Sequence, residues 1–431
     1  MKDNNVVLTK DSTSQKYFSM RSIVSFLFTF ALCSTAVAQT FDFDLTQPQP
    51  TYTEATGYGY DFNTASLSKN NLKPMFFSVK VPDGNYLVTL TLGDKKYAGI
   101  TAVRAESRRL IAQKIVTKKN EFKTINFTVN KRSPLIDGKT SVKLKNDEAN
   151  YLNWDEKLTL EFNGEAPAVK HIKVEPNPDA ITVYLCGNST VTDQNSEPWA
   201  SWGQMIPRWF DSGVSFSNLA YSGLSTTSFL AQNRLLKILS TLKKGDYVMV
   251  EFGHNDEKDK APGSGAWYNF TYNLKRFIDE VRKKEAQIIL VTPTARRLFK
   301  DGKNVNTHGD YPAAMKAVAE RENVPLIDLT AMTTALYEAY GEERCKHFLV
   351  HYPAGTYPGQ EKPWADNTHF NTFGAYEVSK CIVMGMKELQ LPLVSHLTPD
   401  WKNFFPGDPD DWQSFYWPLS PMVDLKKPDG N

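Results

Sequence analysis

The chain has 431 residues, 41% of them hydrophobic, and charges that nearly cancel at a formal net +2. That length exceeds one ordinary core and points to two domains. The even spread of acidic and basic residues excludes the basic stripe of a nucleic-acid-binding surface.

The N-terminus predicts export. Lys10, Lys16 and Arg21 precede an apolar run from Ile23 to Ala36, and Ala36-Val37-Ala38 has the small-x-small form that signal peptidase cleaves. Residues 1–38 are thus expected to leave as a signal peptide, with the mature chain beginning near Gln39. Bulky Leu32 before Cys33 disfavours a lipoprotein. The run is too short for a membrane span, and no other segment is expected to cross a bilayer. Three cysteines then remain, Cys186, Cys345 and Cys381, which allow at most one internal disulfide; a Cys345–Cys381 pair and free buried thiols are equally open. The expected location is periplasmic or extracellular.

Residues 40–174 read as strands separated by turns. Phe76-Phe77-Ser78-Val79-Lys80-Val81 is followed by the turn Pro82-Asp83-Gly84-Asn85 and the strand Tyr86–Leu92. Glu121–Val129 and Lys157–Phe162 repeat the pattern, which predicts a β-sandwich. Glu175-Pro176-Asn177-Pro178-Asp179 reads as a linker.

From residue 180 to about 395 the rhythm changes. Short apolar runs at Ile181–Leu185, Ser215–Leu219, Tyr247–Phe252, Ile288–Val291 and Pro325–Leu329 alternate with amphipathic segments such as Trp267–Lys284 and Tyr311–Asn323. This predicts an α/β fold with a parallel sheet flanked by helices, whose ligands bind beyond the carboxyl ends of the strands. Residues 396–431 form a C-terminal extension.

Small or polar residues follow the first three runs: Gly187-Asn188-Ser189-Thr190, Ala220-Tyr221-Ser222-Gly223 and Gly253-His254-Asn255-Asp256. Far downstream, Asp366-Asn367-Thr368-His369 precedes a helical run beginning near Asn371. Acyl transfer needs this set. A serine becomes nucleophilic when a histidine takes its proton, and that imidazole needs a carboxylate to orient it. Asp366 and His369, three apart, are expected on one loop or helical turn facing Ser189. The backbone N–H groups of Ser189 and Gly223 and the amide of Asn255 could serve a tetrahedral oxyanion. Asp256 is the rival carboxylate.

In order and position these residues resemble the SGNH (GDSL-like) hydrolases, and more narrowly the rhamnogalacturonan acetylesterases of carbohydrate esterase family 12. The stretches that carry the resemblance are Gly187–Gln194, Trp202–Met205, Asn218–Ala220, Gly245–Asp256, Thr292-Pro293 with Arg296-Arg297, and Asp366–Phe370. It implies a three-layer α/β/α domain and a serine esterase with Ser189, Asp366 and His369 as triad. It also implies an oxyanion hole from Ser189, Gly223 and Asn255, with no metal and no cofactor. The first domain is similar to a galactose-binding β-sandwich. Two departures stand out: Asn188 where many relatives have Asp, and Leu224 where an Arg often follows the glycine.

The resemblance makes the expected partner an acetylated plant cell-wall polysaccharide, with pectic rhamnogalacturonan foremost. Acetylxylan, or an inactive carbohydrate-binding protein, are the alternatives. His254, Trp202, Trp364 and His308 are candidate sugar contacts, and Trp199 flanks them. For the three tryptophans structural packing is an equal reading, and for His308 loop solvation is the plainer one. His347 and His351 lie near Cys345, but their spacing matches no zinc pattern.

Overall fold

The computed structural model describes residues 39–64, 73–145 and 147–421. The expected signal peptide at 1–38, Cys33 included, and residues 422–431 of the extension lie outside the described residues.

Alternation of apolar and polar residues builds the first part. Its strands are β1 (Phe41–Asp44), β2 (Tyr58–Asp61), β3 (Met75–Lys80), β4 (Gly84–Leu92), β5 (Gly99–Ala105), β6 (Arg109–Thr117), β7 (Lys123–Lys131), β8 (Lys157–Ala166) and β9 (Val169–Pro176). They pair into two antiparallel sheets, ordered β1-β9-β4-β7 and β2-β3-β8-β5-β6. In β4 the side chains of Tyr86, Val88, Leu90 and Leu92 are buried while those between them are half-exposed, as a strand with one wet face requires. Phe77, Leu160, Phe162 and Ile172 fill the space between the sheets. Each such apolar side chain contributes about 1.5–3 kcal/mol by leaving water.

The second part comprises β10 (Ile181–Cys186), β11 (Trp199–Ala200), α1 (Trp202–Met205), β12 (Val214–Asn218), α2 (Thr226–Ala231), α3 (Arg234–Thr241), β13 (Tyr247–Glu251), α4 (Thr271–Arg282) and β14 (Gln287–Val291). It continues through the hairpin β15 (Phe299–Lys300) and β16 (Lys303–Asn304), then α5 (Tyr311–Glu322), β17 (Leu326–Ile327), α6 (Leu329–Tyr340), β18 (Leu349–Tyr352), β19 (Trp364–Asn371) and α7 (Thr372–Glu388). Five strands form a parallel sheet in the order β12-β10-β13-β14-β17. Both faces are covered, so the strands are nearly continuous apolar runs. Val183, Leu185, Met249 and Ile289 face one core with Val378 and Ile382 of α7. Tyr184, Val248, Val250 and Leu290 face the other with Leu274 and Phe277 of α4. This is the three-layer α/β/α architecture, preceded by a β-sandwich.

Because β10 lies between β12 and β13, the chain reverses its winding direction there. In a parallel sheet, ligands bind beyond the carboxyl ends of the strands at such a reversal.

The two parts have separate apolar cores, yet their described residues belong to one compact unit. Leu110 of β6 sits in the core under β10. The expected linker is tied down: Asn177 donates to Thr128 Oγ1 at 2.9 Å and to the Ser212 carbonyl at 3.1 Å.

One expectation of the fold needs correction. The helix expected over Trp267–Lys284 is regular only over Thr271–Arg282, because residues 266–270 make a wider turn first. Of the two readings open for the cysteines the free one holds: Cys186, Cys345 and Cys381 are all unpaired and buried. Among the described residues no helix is long and apolar enough to cross a membrane.

Candidate active site

The turn after β10 is built around a close approach. A Cβ on Gly187 would stand 2.4 Å from Val191 Cγ2 and 3.1 Å from the Glu251 carbonyl oxygen, so only glycine lets the chain bend tightly here. Asn188 Oδ1 then accepts from the Thr190 N–H at 3.1 Å and lies 3.0 Å from its hydroxyl, folding the turn over Ser189. The Ser189 carbonyl accepts from Gln194 Nε2 at 2.8 Å and Ser201 Oγ at 2.9 Å.

Asp366 and His369 come from β19, which pairs with β11 and β18. They lie on this strand rather than on a loop or helix. Residues three apart on a regular strand project to opposite faces. Here the Asp366 carboxylate bends the strand by accepting the backbone N–H groups of Thr368 at 2.9 Å and His369 at 3.0 Å on Oδ1. Its Oδ2 accepts from His369 Nδ1 at 2.8 Å, and His369 Nε2 faces Ser189 Oγ at 2.8 Å. The serine, imidazole and carboxylate are therefore in line, and all three residues are buried. Burial by itself would raise the Asp366 carboxyl. The imidazole and the two backbone N–H groups outweigh it and hold the carboxyl down to about 2. Next in the chain, Asn371 caps α7 by accepting from the Gly374 N–H at 2.9 Å, which anchors the end of the strand.

Gly223 and Asn255 follow β12 and β13, and hydrogen bonds link the first loop to the serine turn and the second loop to the first. The Tyr221 N–H donates to the Gly187 carbonyl at 3.3 Å. Asn255 Nδ2 donates to the Leu224 carbonyl at 3.1 Å, and an amide has a second hydrogen to offer a substrate oxygen. Gly223 takes a φ of +79°, a left-handed conformation suited to glycine. Both residues remain half-exposed at the cleft.

Asp256 does not touch the imidazole. It accepts from the Thr226 N–H at 2.9 Å and the Gly253 N–H at 3.2 Å, and so braces the β12 and β13 loops.

The ring candidates divide. Trp202 is fully buried in the core with its indole N–H on Glu251, and this excludes it as a sugar platform. Trp199 is equally buried. Trp364 is half-exposed, its ring 4.9 Å from that of Trp199. His308 is not a solvated loop residue: it is buried, with Nε2 donating to the Thr294 carbonyl at 2.8 Å and Nδ1 2.9 Å from Glu257. His254 packs on His308 at 4.5 Å between ring centres. Burial, then the basic neighbours around it, Arg296 among them, push His254 well below the ordinary imidazole value. Apart from this cluster, His347 stacks on Trp412 at 4.0 Å and His351 contacts Asn367 at 2.9 Å. No group of His, Cys, Asp and Glu among the described residues could hold a metal ion.

Glu251, counted within an apolar run, is a further member of the site's foundation. Its Oε1 lies 2.7 Å from Thr190 Oγ1 and its Oε2 accepts from Trp202 Nε1 at 2.5 Å. The single Thr190 hydroxyl hydrogen cannot serve both Asn188 and Glu251. Donated to Glu251, it leaves Asn188 Oδ1 with the Thr190 N–H, and burial pushes the Glu251 carboxyl up to about 7 against these bonds.

Residues 181–375 match the profile of the GDSL-like Lipase/Acylhydrolase family. The chain is 42% identical over 220 residues to the rhamnogalacturonan acetylesterase RhgT of Bacillus subtilis, covering 50% of this chain and 94% of that protein. It is 34% identical over 219 residues to the probable rhamnogalacturonan acetylesterase YesY of the same organism, covering 50% and 96%. A 28% identity over 317 residues to the uncharacterized esterase YxiM, again of Bacillus subtilis, covers 72% and 74%. That alignment is too long for residues 181–431 alone and takes in part of the sandwich. By its identity to relatives that it spans nearly end to end, the chain belongs to the GDSL-like lipase/acylhydrolase family and is a serine esterase.

Proposed function

We propose that the chain is a carbohydrate O-acetylesterase that deacetylates pectic rhamnogalacturonan through a covalent acetyl-serine. The observation that carries the chemistry is the unbroken relay from Ser189 Oγ through His369 to Asp366, 2.8 Å at each step. Ser189 attacks the acetyl carbonyl as His369 Nε2 takes its proton. Asp366 keeps the imidazole hydrogen on Nδ1, leaving Nε2 free to accept. The oxyanion is met by the N–H groups of Ser189 and Gly223 and the Asn255 amide. His369 then returns the proton to the departing sugar hydroxyl, and water repeats the cycle to release acetate.

The substrate reading is supported by two relatives named as acetylesterases of this polysaccharide, at 42% and 34% identity. Export to the periplasm or beyond, which the Ala36-Val37-Ala38 site supports, would bring the enzyme to such a polymer. Acetate release from acetylated rhamnogalacturonan, homogalacturonan and xylan tests the proposal. Preference for the first is expected. Preference for xylan, or release from none while p-nitrophenyl acetate is cleaved, would overturn the substrate assignment.

A further inference from the structure

The Ser189 carbonyl is fixed by Gln194 and Ser201, and this sets the backbone torsion from which the Ser189 hydroxyl projects. Gln194 is held in turn from outside the hydrolase layers. Its carbonyl accepts from Arg108 Nε at 3.1 Å and Nη2 at 3.0 Å, and from Gln204 Nε2 at 2.9 Å. The same Gln204 amide donates to the Ser107 carbonyl at 2.7 Å. Arg108 Nη2 also reaches the carbonyls of Ser196 and Trp199, and Nη1 pairs with Glu197 at 2.8 Å. Arg108, Gln194, Glu197 and Gln204 are all buried.

Ser107 and Arg108 belong to the sandwich, at the tip of its β5–β6 hairpin. Glu106 and Arg108 there adopt φ of +54° and +57°, a conformation that side-chain-bearing residues avoid and that its surroundings must hold. The next residue, Arg109, pairs with buried Asp193 at 2.6 Å, so two consecutive arginines grip the segment behind the nucleophile. An arginine fork fits this task because it offers several donors in a rigid plane to several carbonyls.

We propose that Arg108 is a positioning residue for the esterase reaction, acting through Gln194 on Ser189, so that the sandwich completes the active site. This rests on Ser189 being the nucleophile.

The full-length chain is assayed with p-nitrophenyl acetate. Arg108→Lys keeps a cation beside Glu197 but loses the fork. It is expected to lower kcat roughly 10–100-fold with little change in KM, as small misplacements of a reacting group do. Gln194→Ala should act in the same sense. The double variant should be no slower than the slower single, because both changes cut one chain of contacts. A wild-type kcat in Arg108→Lys, or a double variant whose loss equals the product of the two singles, would overturn the proposal. Should Arg108→Lys not fold, Gln194→Ala removes the amide through which Arg108 acts on the Ser189 carbonyl, and an unchanged kcat there would overturn it equally. Ser189→Ala, run alongside, separates the two readings. An inactive Ser189→Ala with an unaffected Arg108→Lys refutes only the role of Arg108, whereas an active Ser189→Ala refutes both.

Discussion

Asp366 and His369 are joined twice: the imidazole Nδ1–H meets Oδ2 at 2.8 Å, and the histidine's own backbone N–H meets Oδ1 at 3.0 Å. The double attachment predicts what Asp366→Asn will do. The amide oxygen should stay on the backbone donors, turning the NH₂ toward the imidazole. The ring must then accept at Nδ1 and carry its hydrogen on Nε2, where it can no longer take the serine proton. A loss of roughly 10³–10⁴ in kcat is expected. Asp256→Asn, whose carboxylate braces only Thr226 and Gly253, should lose stability instead. Kinetics and thermal unfolding of both variants check this, and a crippled Asp256→Asn beside a normal Asp366→Asn would refute the triad.

Asn255→Ala removes one fixed donor from the oxyanion site and leaves the relay intact. The expected change is a fall of roughly 10²–10³ in kcat with KM nearly constant. A change confined to KM would make Asn255 a substrate-binding residue.

Much of this site was legible in the sequence because small polar residues follow three apolar runs, and parallel sheets present their strand ends on one edge. Ser189, Gly223 and Asn255 could be placed there, with Asp366 and His369 near them. What was not legible depends on burial, which no spacing reveals. Trp202 and His308 have the composition of sugar contacts but lie in the interior. Glu251 was hidden inside a run that reads as apolar. Arg108 and Gln194 are 86 positions apart in the chain and meet only because the sandwich turns its hairpin onto the nucleophile segment. The one available signal was the density of arginines at Arg104, Arg108 and Arg109 in an otherwise β-forming stretch.

Glu251 predicts a pH dependence of stability. Burial raises its carboxyl from the ordinary 4.5 to about 7 in the folded chain. The folded state therefore holds this proton more tightly than the unfolded state. The associated stability is complete below pH 4.5 and is lost as pH rises to about 7, a change of about 3 kcal/mol. Glu251→Gln cannot titrate, and its amide can donate to Thr190 and accept from Trp202. The variant should therefore gain on the wild type by about that amount between roughly pH 4.5 and pH 8. Urea unfolding at the two pH values measures it, and parallel curves at both would show that Glu251 is ionised throughout.

The central claim is that Ser189, activated by His369 and Asp366, forms the covalent intermediate. Labelling with a serine-directed phosphonate, followed by peptide mapping and assay of acetate release, tests it most directly. The account predicts one adduct, on Ser189, with activity lost in proportion to labelling. It also predicts slow or absent labelling in His369→Ala and none in a folded Ser189→Ala. An adduct on another residue accompanied by inactivation, or undiminished acetate release from Ser189→Ala, would contradict it.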